Sequence, residues 1–526
     1  MKGKIRRCPA LILIFITVTG VFLMFAYRKS GMFIDEIYSY GLSNSHYAPF
    51  LSDIKDGEMV GKTFTRQELL DYVSVSSGEL FDAGSVYYNQ TRDVHPPLYY
   101  WLLNAVCSLF PDSFSKWTGL ALNYVLYMLS LFVLYKTVRK LGGSAANAAA
   151  AAVLYALSVI GLSTALMIRM YMLLTLLTLV LMYLFACLMR EFKRRYCILI
   201  GLTLLAGLMT QYYFVFYAFF LCAAYVIHAL AKRDFKALAW FVPCALAGAL
   251  SLLPVFPACI SHLFSDNLVS GGNAMENLAN FAQYSYRLKT FFGFARHGLK
   301  AAIYTSVIAA VALAVCFRKL RAAAAEKRIH PDALVLIVPA CVTLVLVALI
   351  SPVDEPRYIY NLIPAFILGV SFLLYLLEES LGSFRHEEHI KTAALALIAA
   401  LALWEARCAP PDYLYPEYRE YDMAVTEHCR DACVYFSDNR FEAITQDLLQ
   451  LLAFDDFHVS DDTDYRGALD YVNGADEFVA YVDISEYWSS GYDADRIISG
   501  IAACSDYKYA ELLYQNGLSA TYLITK

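Results

Sequence analysis

The stretch CPALILIFITVTGVFLMFAY (Cys8–Tyr27), followed a few residues later by Ile34-Asp35-Glu36-Ile37, decides the fold class. About 20 apolar residues, at about 1.5 Å of helix per residue, are enough to cross the hydrocarbon of a bilayer. The two adjacent carboxylates come after the run ends, so we expect them just outside one membrane face, where they stay ionised. No small-residue cleavage site follows the run, which predicts an uncleaved first span.

The composition extends this conclusion to most of the chain. Of the 526 residues 59% are hydrophobic and only 17% are charged, whereas soluble domains are about 45–50% apolar. Apolar runs of about 15 to 25 residues recur along the first 406 positions, which predicts a polytopic α-helical membrane protein. No basic patch points to a nucleic-acid partner.

Basic residues between the apolar runs set the expected orientation, because cytoplasmic loops retain Lys and Arg. The basic connectors are Lys2–Arg7, Lys136–Lys140, Arg190–Arg195, Lys232–Lys236, Arg318–Arg328 and Arg385–Lys391. One arrangement of about 11 transmembrane helices puts all of them inside, with the N-terminus inside and the C-terminal tail outside. Its spans are 8–27, 118–138, 147–165, 169–189, 196–212, 213–231, 238–258, 300–317, 333–350, 358–377 and 391–406.

Two long segments fall outside in this arrangement. The first outer loop, 28–97, contains a capped amphipathic helix at 65–73. The second, 260–299, carries Ser270-Gly271-Gly272-Asn273, whose composition predicts a flexible segment. Residues 98–110 are apolar but too short to span, and their aromatic residues favour an interfacial or re-entrant helix.

The tail, 407–526, has a different composition from the membrane part, 1–406. It holds 23 acidic and 8 basic residues. Strand-like stretches at 433–437, 477–484 and 520–525 alternate with helical stretches at 441–452 and 494–504. This order predicts a small extracytoplasmic α/β domain.

The unusual polar residues of the membrane part all fall on the outer side, although none of them was used to set the orientation. They are Asp35 and Glu36 after the first span, Asp93-Val94-His95-Pro96-Pro97-Leu98 at the end of the first outer loop, Arg169 before the fourth span, Gln211 between the fifth and sixth, and Asp354-Glu355-Pro356-Arg357-Tyr358 before the tenth. This one-sided clustering predicts an outward-facing site.

These motifs, in this order, resemble those of the C-type integral-membrane glycosyltransferases (GT-C). The closest branch is glycosyltransferase family 39, with the protein O-mannosyltransferases and the lipid A aminoarabinose transferase. The resemblance implies an inverting transfer of a sugar from a polyprenyl-phosphate donor at the outer face of the cell membrane. The acceptor (protein, lipid or wall polymer) stays open.

The resemblance implies roles for single residues. Asp35 matches the catalytic aspartate, which would take the proton of the acceptor hydroxyl, with Glu36 beside it. Arg357 would bind the lipid phosphate, since a guanidinium grips two phosphate oxygens, and Arg169 is a second cation. The other expected substrate-binding residues are Asp93, His95, Gln211 and Tyr358.

Alternatives remain at several positions. Arg357 could instead anchor the chain at the membrane–water interface. His95-Pro96-Pro97 could form only a rigid turn, and Gln211 could have a structural role. Met167-Ile168 stands where related sequences often carry Gln-Glu, and Gln211 where they often carry His. The loss of two ionisable groups leaves a divalent cation unsupported, and we assign no metal ligand. A flippase of lipid-linked sugars would place polar residues near the midplane. A non-catalytic scaffold is the other rival.

Overall fold

The computed structural model describes residues 8–264, 269–326, 330–381, 387–428, 432–438, 441–461, 463, 465–485 and 492–526. The connector Lys2–Arg7, and parts of the connectors at 318–328 and 385–391, lie outside the described residues. The chain divides into two compact units. The first, which we call the membrane unit, comprises 1–26, 94–99 and 120–412. The second comprises 27–93, 100–119 and 413–526; we call it the outer unit after the predicted outer loop and tail that it contains.

Helices dominate the described chain. In chain order they are α1 (Cys8–Arg28), α2 (Ile34–Asn44), α3 (Arg66–Val73), α4 (Ala83–Arg92), α5 (Leu98–Cys107), α6 (Lys116–Leu141), α7 (Ala145–Ala156), α8 (Val159–Leu166), α9 (Tyr171–Arg190), α10 (Arg194–Leu208), α11 (Phe214–Ala231), α12 (Phe235–Leu250), α13 (Leu252–Val255), α14 (Cys259–Phe264), α15 (Val269–Ala279), α16 (Tyr284–Gly298), α17 (Lys300–Val315), α18 (Phe317–Ala325), α19 (Leu334–Ile350), α20 (Ile363–Leu381), α21 (Glu387–Cys408), α22 (Tyr418–Thr426), α23 (Glu442–Leu451), α24 (Tyr465–Val472) and α25 (Ala494–Cys504). Short 3₁₀ helices occupy Leu51–Lys55, Phe281–Gln283, Pro331–Ala333 and Pro356–Leu362.

The apolar helices confirm a polytopic helical membrane protein. Within the described residues, seven helices are long and apolar enough to cross a membrane, or nine if the bent pairs α7–α8 and α16–α17 each form one span. Each span predicted from the sequence overlaps a helix, including α1 of 21 residues and α10 of 15 residues. The number of eleven crossings stays a prediction.

The outer unit is built around one six-stranded sheet. Its strands are β1 (Thr63–Thr65), β2 (Ala432–Phe436), β3 (Asp456–Ser460), β4 (Glu477–Asp483), β5 (Tyr509–Gln515) and β6 (Ser519–Thr525). The spatial order is β1-β3-β2-β4-β6-β5. The three central strands, β3, β2 and β4, are parallel, and the outer pairings are antiparallel.

The central strands of the sheet are buried and the edges are not. β2 and β4 are almost wholly buried, as expected for strands that have helices on their faces. The predicted strands correspond to β2, β4 and β6, and the predicted helices to α23 and α25, which confirms the small α/β domain. The sequence did not reveal β1, β3 or β5, because β1 has three residues and β5 is an exposed edge.

Three local predictions had different outcomes. The capped helix is confirmed, since Thr65 and Glu68 form a reciprocal capping box at the start of α3. The segment Ser270–Asn273 lies in helix α15, and its flexibility stays a prediction. Tyr99 and Tyr100 of α5 are buried in the protein, so packing rather than a head-group layer holds these rings.

Candidate active site

Glu36 fixes the start of α2 in the outer unit. Its Oε2 accepts hydrogen bonds from the backbone N–H of Phe33 at 2.8 Å and from Lys29 Nζ at 2.9 Å. The side chains of Lys29 and Glu36 are both 0% exposed. Burial lowers the pKa of Lys29, and the neighbouring Glu36 carboxylate opposes this effect. The geometry therefore assigns Glu36 a positioning contact.

Lys29 also reaches the C-terminal part of the same unit. Its Nζ donates to the carbonyl oxygen of Tyr413 at 2.6 Å, and it lies 5.7 Å from the centroid of the Tyr415 ring. Two acceptors and an aromatic face thus surround one buried ammonium group. This arrangement compensates part of the cost of removing the charge from water.

Asp35 occupies the first turn of α2, directly before Glu36. It is half-buried, whereas Glu36 is fully buried. Its backbone oxygen accepts a hydrogen bond from the Ser39 hydroxyl at 2.8 Å, which adds to the order of this turn. The positive end of the helix dipole favours the ionised carboxylate. A carboxylate in this state can accept a proton.

Asp93 ends α4 in the outer unit. Its N–H donates to the carbonyl oxygen of Asn89 at 3.2 Å, and its side chain is half-buried. Burial, together with the negative charges of Asp53 and Asp93, raises the pKa of the Tyr72 hydroxyl. Asp93 therefore contributes negative potential to this part of the unit.

His95 and Arg169 lie together in the membrane unit. An Nη of Arg169 is 3.5 Å from Nδ1 of His95, a long hydrogen-bonding distance across 74 positions of sequence. Because a guanidinium only donates, this contact requires an unprotonated His95 Nδ1. Arg169 is 5% exposed and precedes α9, while Met167 and Ile168 before it are fully buried. The burial explains why these two neighbours are apolar.

Gln211 lies in the turn between α10 and α11. Its side-chain oxygen accepts the N–H of Tyr212 at 2.8 Å, and the residue is buried. The Tyr212 hydroxyl lies 2.9 Å from Nδ1 of the buried His262 in α14. Gln211 thus shapes the turn that presents Tyr212, and sequence reasoning did not single out His262.

Arg357 is held at the start of the 3₁₀ helix before α20. Its Nε lies 3.2 Å from Oε2 of Glu355, and the two side chains are 11% and 34% exposed. The guanidinium also lies 5.8 Å from the ring centroid of Tyr358, and that ring packs on Tyr213 at 5.3 Å. An arginine oriented by a carboxylate and an aromatic ring can bind a phosphate bidentately.

Arg287 of α16 is a buried residue that sequence reasoning missed. Its Nε donates to the carbonyl oxygen of Ala348 at 2.9 Å, and an Nη donates to the Ser351 hydroxyl at 2.9 Å. The same group lies 3.5 Å from Asp354, in the motif that carries Arg357. Arg287 thus joins α16 to the end of α19 and to this motif. No sequence pattern separates it from the other basic residues of α16.

The predicted site residues are therefore divided between the units. Asp35, Glu36 and Asp93 belong to the outer unit. The membrane unit holds His95, Arg169, Gln211, Arg357 and Tyr358. No group of three His, Cys, Asp or Glu side chains suited to a metal ion occurs among the residues that the structure describes.

Comparisons with known proteins identify similar sequences and folds. Residues 94–260 match the model of the dolichyl-phosphate-mannose-protein mannosyltransferase family. This segment contains His95, Arg169 and Gln211. No curated protein sequence matches the chain.

Several solved structures are similar to the chain. ArnT from Cupriavidus metallidurans bound to undecaprenyl phosphate is 12% identical, with a TM-score of 0.52 over 98% of this chain and 97% of that chain. Apo ArnT from the same organism is 13% identical, with a TM-score of 0.46 over 96% of this chain and 98% of that chain. A third structure is the oligosaccharyltransferase AglB from Archaeoglobus fulgidus in complex with an inhibitory peptide and a dolichol-phosphate. It is 11% identical, with a TM-score of 0.40 over 89% of this chain and 69% of that chain. The likeness to the first of these structures shows a shared fold.

Proposed function

We propose that this chain is a membrane glycosyltransferase of the GT-C type and that it transfers a sugar from a polyprenyl-phosphate donor to an acceptor outside the membrane. The observation that carries the proposal is the contact of His95 with Arg169, since both lie in the segment that matches the family model. The fold is shared with a protein whose solved structure holds undecaprenyl phosphate. The acceptor is a protein, a lipid or a wall polymer.

Asp35 is the proposed general base. The acceptor oxygen attacks the anomeric carbon from the face opposite the phosphate, and the proton of the acceptor hydroxyl goes to the Asp35 carboxylate. The bond from the anomeric carbon to the phosphate oxygen breaks, and its electron pair leaves with the polyprenyl phosphate. The configuration inverts in this single displacement. A base of this kind contributes roughly 10²–10⁴ in rate, and positioning of the acceptor adds to it.

Glu36 is proposed to hold Asp35 in place. Its carboxylate is buried against Lys29 and the N–H of Phe33, so it fixes the turn of α2 that carries Asp35. In this assignment Asp35 makes the catalytic contact, Glu36 positions it, and Asp93 contacts the substrate.

The phosphate is proposed to bind arginine. Arg357 offers a guanidinium whose orientation is set by Glu355 and Tyr358, and it neutralises the charge that develops on the leaving phosphate. Arg169 supplies a second cation, oriented by His95. Gln211 supports the turn after α10, because its side-chain oxygen accepts the backbone N–H of Tyr212.

The test is transfer of radiolabelled sugar from polyprenyl-phosphate donors by the purified full chain, with Asp35→Asn beside the wild type. We expect turnover to fall at least about 100-fold in Asp35→Asn, while donor binding stays within about twofold, because the amide keeps the shape of the carboxylate. Loss of turnover with retained binding would support both the transferase activity and the base.

Asp71→Asn is the matched control, because Asp71 is an exposed carboxylate on α3 in the same unit. Its turnover is expected to match that of the wild type. Full turnover by Asp35→Asn would refute the assignment of the base. Donor binding without turnover by any variant, with protein, lipid and polysaccharide acceptors offered, would instead favour a flippase or a scaffold.

A further inference from the structure

The junction of α16 and α17 forms a sharp corner in the membrane unit. The helical segments 281–298 and 300–315 meet at 85°. α17 is apolar and exposes Val307, Ile308 and Val311, as a lipid-facing helix does. α16 contains no acidic residue, carries several basic ones and exposes aromatic rings such as Phe292. A helix of this composition, perpendicular to a span, suits the membrane surface.

A pocket of about 450 Å³ lies at this corner. Arg296, His297 and Lys300 line it together with Ile303 and Tyr304. Among the residues that the structure describes, none of the three basic side chains forms an ion pair. The pocket thus combines a cationic rim with an apolar wall that continues into the exposed face of α17.

Two carboxylates face the corner, and both are already engaged. Glu405 of α21 accepts hydrogen bonds from the backbone N–H groups of Lys300 and Ala301, at 3.2 and 2.6 Å. It therefore caps the N-terminus of α17, which leaves side chains rather than backbone amides to bind an anion. Asp412 interacts electrostatically with His297 and bonds to the Ser163 hydroxyl at 3.2 Å.

We propose that this corner binds the phosphate head group of an anionic membrane phospholipid. Arg296 and Lys300 contact the phosphate, and His297 adds a donor or, when protonated, a third charge. The acyl chains lie along Ile303, Tyr304 and the exposed face of α17. A soluble phosphate would gain nothing from this apolar face, so the surface favours a lipid.

The consequence concerns the position of α16. Arg287 ties this helix to the end of α19 and to Asp354, the residue directly before Glu355 of the arginine motif. A lipid held at the C-terminal end of α16 therefore steadies the helix that supports this motif. The lipid site itself stands whether or not the proposed transfer reaction is correct.

The test measures retention of radiolabelled phosphatidylglycerol by the full chain in neutral detergent, with phosphatidylcholine as the reference lipid. We expect the wild type to prefer phosphatidylglycerol. Each cation near a membrane surface contributes about fivefold to such binding, so Arg296→Gln/Lys300→Gln should bind about thirtyfold more weakly. Arg318→Gln, an exposed charge on α18, is the matched control and should bind normally. Arg296→Lys/Lys300→Arg should restore binding, because it restores the charges.

Several outcomes would overturn the proposal. Equal retention by the wild type and the double Gln variant would do so, as would equal retention of the two lipids. Displacement of phosphatidylglycerol by millimolar inorganic phosphate would identify a site for free anions. Displacement by equimolar undecaprenyl phosphate alone, with phosphatidylglycerol no better than phosphatidylcholine, would identify a carrier site. Lipid binding is measured without turnover, so failure here and failure of the transferase assignment remain separate results.

Discussion

The Lys29–Glu36 pair and the Arg357–Glu355 pair are similar in chemistry and differ in burial. Lys29 and Glu36 are both fully buried, and the lysine has a second acceptor in the carbonyl oxygen of Tyr413. Arg357 and Glu355 keep 11% and 34% of their side-chain surface exposed. The first pair is closed to a ligand, and the second is open to one.

The difference teaches how to separate structural from functional charges in this protein. A buried pair has already lost its hydration, so removing one partner leaves an uncompensated charge. A partly exposed pair is screened by water, contributes little to stability, and can exchange its carboxylate for a substrate phosphate. Burial thus assigns Lys29 and Glu36 to the architecture, and the partial exposure of Arg357 supports its proposed role in phosphate binding.

The largest expected effect comes from breaking the buried pair. Lys29→Met leaves Glu36 without its cation, so the free energy of unfolding should fall by about 3–5 kcal/mol. The measurement is the unfolding midpoint of the purified protein in detergent. Lys29→Met/Glu36→Leu should recover part of the loss, because both charges are then absent.

The control for this experiment is Lys55→Met. Lys55 pairs with Glu68 at 2.5 Å, but the two side chains are 19% and 31% exposed. Its replacement should cost less than about 1 kcal/mol. Equal losses in Lys29→Met and Lys55→Met would show that burial does not distinguish the pairs.

Asp447 sharpens the comparison, since it is a buried carboxylate whose hydrogen bonds come from neutral groups. Tyr435, Tyr514 and Asn516 donate to it at 2.8, 2.9 and 2.9 Å. Burial raises its pKa to about 6, against about 3.9 in an unfolded chain. The folded state therefore binds this proton more tightly than the unfolded chain does. Protonation of Asp447 stabilises the fold fully below about pH 4, and this stabilisation is lost as pH rises through about 6.

The expected loss of stability between pH 4 and pH 7 is about 2 kcal/mol from this group. Unfolding midpoints across this range measure it. Asp447→Asn should flatten the profile, because an amide does not titrate, whereas Asp470→Asn, an exposed control on α24, should leave its slope unchanged. An unaltered slope in Asp447→Asn would contradict the assignment.

The smallest effect on stability is expected at the partly exposed Arg357–Glu355 pair, where we expect a large effect on kcat/KM instead. Arg357→Gln should lower kcat/KM for the donor by about 10- to 100-fold, since hydrogen bonds to charged groups are worth about 1.5–3 kcal/mol. Its unfolding midpoint should stay near that of the wild type. Glu355→Gln should change donor KM by less than about tenfold. A large fall in stability with unchanged kcat/KM in Arg357→Gln would make it an interface anchor.

The sequence predicted the helices of the membrane unit well, because long apolar runs have few alternatives to helix in a bilayer. The capping box at Thr65 was also predictable, since it depends on residues three positions apart. The α/β order of the tail followed from local alternation in the same way. These features are all encoded within short windows.

Features that depend on distant partners were not predictable. Lys29 follows an apolar run, where a lysine usually reaches for water, and only packing against Tyr413 and Glu36 buries it. Arg287 is one of several basic residues in α16, and its role follows from the end of α19. β1 has three residues and exists through its pairing with β3. Among the candidate site residues, the identities came from the motifs, whereas the partners His95 for Arg169 and Glu355 for Arg357 came from the structure.

The pairing of β1 with β3 has a consequence for biosynthesis. The side chains of Thr63 and His458 form a hydrogen bond across 395 positions of sequence. Lys29 likewise donates to the carbonyl oxygen of Tyr413, which is translated much later. At about 5–20 residues per second, roughly 20–80 s of translation separate the synthesis of β1 from that of its partner. The contacts that hold the segment carrying Asp35 therefore form only after Tyr413 and His458 have been translated. A chain truncated before these residues would lack an assembled outer unit.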